Sequence, residues 1–78
     1  MKLIAVPHQF YGGEGEPLIH FNEDTLALTE VDPIHRELLG HFAEAHTTDE
    51  VLATHGGDEE VAKVIDALVE LEIVAAQM

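Results

Sequence analysis

The spacing of apolar residues changes period at Asp32-Pro33, and this change constrains the fold more than any other feature of the chain. Before it lie short extended stretches separated by turn residues. After it, apolar residues recur every three or four positions, the period of an amphipathic helix. Leu3 to Phe10 reads as a first, edge strand, since it carries one proline. Tyr11 to Pro17, with three glycines and a proline, is a turn segment. Leu18 to Phe21 is a second strand. Asn22-Glu23-Asp24 is a turn of residues that bond locally to their own backbone. Thr25 to Val31 is a third strand, and the three-residue turn makes a hairpin of the last two.

Asp32 and Pro33 suit the cap and first position of a helix. Ile34, Leu38 and Phe42 continue it to about residue 45, weakened by Gly40. Thr47 and Glu50 match a capping box ahead of a second, short helix, which Gly56-Gly57 ends. Asp58 caps a third helix whose stripe is Val61, Val64, Ile65, Leu68 and Leu71. Ile73 to Met78 extends that helix or forms a last strand. The expectation is strands near 3–10, 17–22 and 25–31, then helices near 33–45, 48–55 and 58–72. Strands segregated from helices define an α+β domain, a three-stranded antiparallel sheet followed by three helices. The helical order is that of a winged helix-turn-helix. One domain accounts for residues 1–78, with no repeat and no linker.

Charge excludes more functions than it suggests. Sixteen acidic residues face three basic ones, for a net charge of −13. Nucleic acids and anionic membrane surfaces are held by Lys and Arg, so neither is an expected partner. The helices that would read a DNA groove carry Asp49, Glu50, Glu59, Glu60, Asp66 and Glu70 instead. A basic or neutral partner fits better, although solubility or a salt-adapted source would give the same balance. The chain has no cysteine, which removes disulfides, thiol catalysis and zinc–thiolate sites and fits a reducing cytoplasm. No apolar run reaches about 18 residues, so no membrane span is expected.

Catalytic patterns are missing. Six histidines, His8, His20, His35, His41, His46 and His55, include no pair at i and i+4, the helical spacing for a metal. They read as solvated surface groups, and no metal or other cofactor is expected. GGEGE precedes a strand and holds glutamates, so it is a turn and not a phosphate loop. No catalytic residue stands out, and the domain is not expected to be an enzyme.

Three stretches carry a resemblance over Ile19 to Val74. IHFNEDTLALTEVDPIHRELLGHF is an extended hairpin followed at once by an amphipathic helix. TTDEVL is a capped helix start, and DEEVAKVIDALVELEIV a closing helix with a terminal apolar pair. Together they resemble the PqqD-like domains, or RiPP recognition elements. Where many members carry Asp-Gly before the Thr, this chain has Glu44-Ala45-His46. The resemblance implies a domain that binds the leader segment of a ribosomally made precursor peptide and presents it to a modifying enzyme, fused or separate. The leader would add as a strand beside Thr25, Leu26, Ala27, Leu28, Thr29, Glu30 and Val31. It would also touch the third helix at Val64, Ile65, Leu68 or Val69. The alternative is a structural protein-interaction winged-helix domain with no peptide-strand site, and a third reading is a histidine-bearing metal or pH sensor.

The charge argument gives a direct test. Fluorescence anisotropy with labelled duplex DNA at physiological salt is expected to show no binding up to high micromolar protein, because three basic side chains release few counterions.

Overall fold

The computed structural model describes residues 1–77. It is an α+β fold with a small antiparallel sheet and three helices. The strands are β1 (Leu3–Ala5), β2 (His8–Tyr11), β3 (Leu18–Asn22), β4 (Leu28–Val31) and β5 (Val74–Ala76). The helices are α1 (Pro33–Leu39), α2 (Thr48–Thr54) and α3 (Glu59–Glu70). The strands form two antiparallel sheets, β2-β3-β4 and the separate pair β1-β5.

The single strand expected over residues 3–10 is therefore two strands. Pro7 has no N–H, so no continuous ladder runs through it. Upstream of Pro7, Leu3 pairs with Ala76 and Ala5 with Val74. Leu3 also exchanges two backbone hydrogen bonds with His46, at 2.7 and 3.0 Å. Downstream, β2 joins the hairpin, with Phe10 opposite His20. Gly12 makes the β2–β3 turn possible, because its φ is +76° and a Cβ there would strike the carbonyl oxygen of Pro17.

The third strand is shorter than the expected 25–31. Asn22 Oδ1 accepts the amides of Asp24 and Thr25 at 2.8 and 3.1 Å. This side-chain turn captures Thr25 before it can pair. Leu26 takes a left-handed φ of +64° and donates its amide to Asn22 O. Regular pairing starts only at Phe21 opposite Leu28.

The first helix also stops early. It gives way at Gly40 to a 3₁₀ turn, Gly40–Ala43, where a helix to residue 45 was expected. The tighter turn carries Phe42 into the core. The capping box before α2 is formed, with Glu50 N donating to Thr47 Oγ1 and Thr47 N to Glu50 Oε1. Asp58 Oδ1 accepts the amide of Glu60 to start α3. After α3, Val74–Ala76 is a strand and not more helix, while Met78 lies outside the described residues.

The core lies where α1, the 3₁₀ turn, α3 and β5 meet, and its largest buried side chains include Phe42, Leu38, Ile65, Leu68 and Ile73. Phe42 is wholly inaccessible, whereas Leu28 is 67 % exposed. Phe42→Ala should cost about 3–5 kcal/mol, a large share of what so small a domain can hold. Leu28→Ala should stay within about 0.5 kcal/mol. Urea unfolding of the two variants measures both.

Candidate functional site at the β4 edge

In the order β2-β3-β4, strand β4 is paired on one side only. Its free backbone groups follow from the hairpin register. Asn22 N donates to Ala27 O, which fixes Asn22 and Ala27 as a hydrogen-bonded pair. Such pairs alternate along an antiparallel ladder, so Thr29 and Val31 direct their backbone groups at His20 and Leu18. Leu28 and Glu30 then direct theirs away from the sheet.

Side chains alternate the other way. Val31 is buried and Thr29 half-buried on the inner face, while Leu28 and Glu30 are exposed on the outer face. The outer face carries Tyr11, Ile19, Phe21 and Leu28 as an apolar band, with the Tyr11 and Phe21 rings 6.4 Å apart. On the β2 side a polar chain borders it, from Tyr11 OH to Gln9 Oε1 and from Gln9 Nε2 to Glu23 Oε1, each 3.1 Å. Toward the turn, Leu26 adds a side chain 70 % exposed.

A groove lies at each end of β4. At the turn, a groove of about 330 Å³ is lined by Asn22, Asp24, Thr25, Val69, Glu72 and Val74, among others. It brings Thr25 and Val69 together from 44 positions apart. At the other end, a cleft of about 560 Å³ lies between the β2–β3 turn and the start of α1. Glu16, Glu30, Asp32 and Glu37 line it with the single cation Arg36. Arg36 also sits 5.3 Å over the Phe10 ring, a cation–π contact. The sequence reading did not anticipate this cleft, because its walls come from a glycine turn and a helix start that no spacing rule connects.

The remaining residues expected at a peptide site divide sharply. Ala27 is exposed in the turn, and Val64 is half-buried against the core. Ile65 and Leu68 are fully buried and offer no surface to a ligand. They occupy the centre of the α3 stripe, which is where a helix this short turns its core face.

The histidines also depart from the expected solvated groups. His20 is 1 % exposed on the inner face of the sheet. It stacks on His8 at 5.2 Å and meets the edge of Phe10 at 5.5 Å. Among the described residues its Nε2 has no hydrogen-bond partner. Burial, and then the neighbouring His8, holds the His20 pKa below its usual value. At the start of α2, backbone donation from Thr47 lowers the Glu50 carboxyl. Among the described residues no group of three or more ligating side chains converges on a metal position, and no helix is long and apolar enough to cross a membrane. No family model, curated protein or solved structure matches the chain.

The buried histidine makes stability depend on pH with a fixed sign. The unfolded chain binds this proton near pH 6.5, the folded chain only at lower pH. The His20 contribution is complete above about pH 6.5 and is lost as pH falls through the folded value. The urea midpoint should drop between about pH 7 and pH 5, and His20→Leu should flatten that slope.

Proposed function

We propose that this domain binds an extended peptide by strand addition at β4, and that the peptide is the leader of a ribosomally made precursor held for a modifying enzyme. The observation that carries the reading is an edge strand, free on one side among the described residues, whose two outward backbone positions, Leu28 and Glu30, sit beside the exposed side chains of Leu26 and Leu28. Main-chain hydrogen bonds would supply affinity, and apolar contacts selectivity. Support also comes from the order of hairpin and three helices, which fits the winged helix-turn-helix of the PqqD-like domains, with β1-β5 as an addition. In this reading the groove holding Thr25 and Val69 takes an anchor residue, and the acidic cleft takes a basic one. The domain itself is non-catalytic, needs no cofactor and works in the cytoplasm beside its enzyme.

A second reading rests on the apolar outer face at Tyr11, Ile19, Phe21 and Leu28. A flat apolar face suits a structural protein contact that leaves the β4 amides free.

Proline substitution separates the two readings. Glu30→Pro removes an outward amide and leaves the hairpin ladder intact, whereas Thr29→Pro removes an inward one and should unfold the hairpin. The variants are titrated with a panel of leader peptides carrying an apolar anchor and flanking Lys or Arg, followed by amide chemical shifts. Strand addition predicts that Glu30→Pro stays folded and loses at least about tenfold in affinity, while Glu30→Gln loses far less. Shifts confined to Tyr11, Ile19 and Phe21, with Glu30→Pro binding normally, would favour the second reading and reject the first.

A further inference from the structure

His41 and His55 stand apart from the edge of β4 and from everything proposed for it. His41 lies in the 3₁₀ turn after α1, and His55 is the C-terminal cap residue of α2. Fourteen positions apart in sequence, their Nε2 atoms lie 3.0 Å from each other. The rings meet edge to face, with centroids 5.0 Å apart and planes at 84°. Both side chains are half-buried, so solvent reaches the pair.

We infer that His41 and His55 form a two-histidine site for a first-row divalent transition metal of the zinc class. Two Nε2 atoms this close can turn two lone pairs onto one point once the proton between them has moved to Nδ1. A tetrahedral zinc ion with Zn–N bonds of about 2.0–2.1 Å holds two nitrogens roughly 3.3–3.4 Å apart. The observed separation needs only a few tenths of an ångström of ring movement to accept the ion. Without metal, one ring must carry its proton on Nε2 and donate it to the other. On binding, that ring changes tautomer and holds its proton on Nδ1, so both Nε2 atoms ligate as neutral imidazoles.

Nitrogen donors select the metal class. Imidazole suits zinc, copper and nickel, while magnesium and calcium require oxygen ligands. Two protein ligands leave the other positions to water. A groove of about 260 Å³ opens beside His41, lined also by His46, Glu50, Val51 and Thr54. The net charge of −13 raises the local concentration of any cation. The ion would clamp the 3₁₀ turn to the end of α2 across a loop that only the His46 bridge to β1 otherwise anchors to a strand.

Zinc chloride titrated into the labelled full chain tests the site, read by calorimetry and by the ring nitrogen resonances of all six histidines. The expected result is one saturable equivalent in the micromolar range, with the Nε2 resonances of His41 and His55 moving together. His41→Ala and His55→Ala should each weaken binding at least about tenfold, since either leaves a single imidazole. His35→Gln, on α1, should stay within about twofold. Unsaturable binding, unmoved Nε2 resonances at His41 and His55, or both alanine variants binding as tightly as the parent would overturn the assignment. The resonances are read in the unaltered protein, so the test does not depend on how the variants fold.

Discussion

One buried amide, that of Asn22, ties the two halves of this domain together. Its Oδ1 accepts two amides of the hairpin turn, and its Nδ2 donates to Glu72 O, 50 residues away at the end of α3. The Asn22 main-chain oxygen also accepts the Leu26 amide, and two of the residues bonded to Asn22 are in costly conformations. Leu26 and Glu72 have φ of +64° and +62°, a region that costs an L-residue about 1–2 kcal/mol. Such conformations persist where the surroundings over-determine them. Here the Glu72 turn redirects the chain out of α3, and Ile73 and Val74 enter the core at once. β5 then pairs with β1, so the second sheet depends on the geometry that Asn22 stabilises. The groove beside Thr25 and Val69 is the surface expression of the same contact.

Against this local order stands a field of unbalanced negative charge. Among the described residues there is one Lys–carboxylate pair, Lys63–Glu60 at 3.5 Å, and one His–carboxylate contact, His46–Glu50 at 3.6 Å. Both are well exposed, and exposed pairs of this kind contribute about 0–1 kcal/mol. Cohesion therefore comes from the apolar core, and the charges oppose compaction through mutual repulsion. They are arranged usefully at helix starts, where Asp49, Glu50, Glu59 and Glu60 meet the positive ends of α2 and α3. Elsewhere, as in the cleft around Arg36, they remain an unpaid repulsion that a cationic group would relieve.

Local signals were legible in the sequence, and contacts made at a distance were not. The Thr47–Glu50 box, the Asp58 cap and the Val61, Ile65, Leu68 stripe lie within one or two helical turns, and each formed where its spacing placed it. Pro7 is visible in the sequence, but the pairing of the segment before it with β5 is not, because Ala5 and its partner Val74 lie 69 positions apart. Asn22 was read as a turn former, yet the turn it makes consumes Thr25 to Ala27, which alternation alone had assigned to a strand. Ile65 and Leu68 were assigned both to the core and to a binding groove, and burial leaves them only the first role. His41 and His55, brought together by a turn and a helix end, lie 14 positions apart, far outside the four-residue spacing that marks a helical metal pair.

Under the strand-addition proposal, energetics set how large a ligand for β4 would have to be. Leu28 and Glu30 offer two N–H and two C=O groups, and a net hydrogen bond contributes about 0.5–1.5 kcal/mol. The four bonds thus contribute about 2–6 kcal/mol, which the translational and rotational freedom lost on association, about 4–15 kcal/mol, offsets. Covering Leu26 and Leu28, which are two-thirds exposed, adds about 1–2 kcal/mol for each, since full burial of a leucine gives about 1.5–3. Ordering the peptide costs about 0.5–1.5 kcal/mol for each immobilised long side chain, which cancels much of that gain. A peptide lying on β4 alone would therefore bind weakly. Micromolar binding requires it to continue past both ends of the strand, into the groove beside Val69 and the acidic cleft beside Glu16 and Glu37. If β4 takes an added strand, so short an edge would favour a longer extended peptide with an apolar anchor at one end and a basic residue at the other.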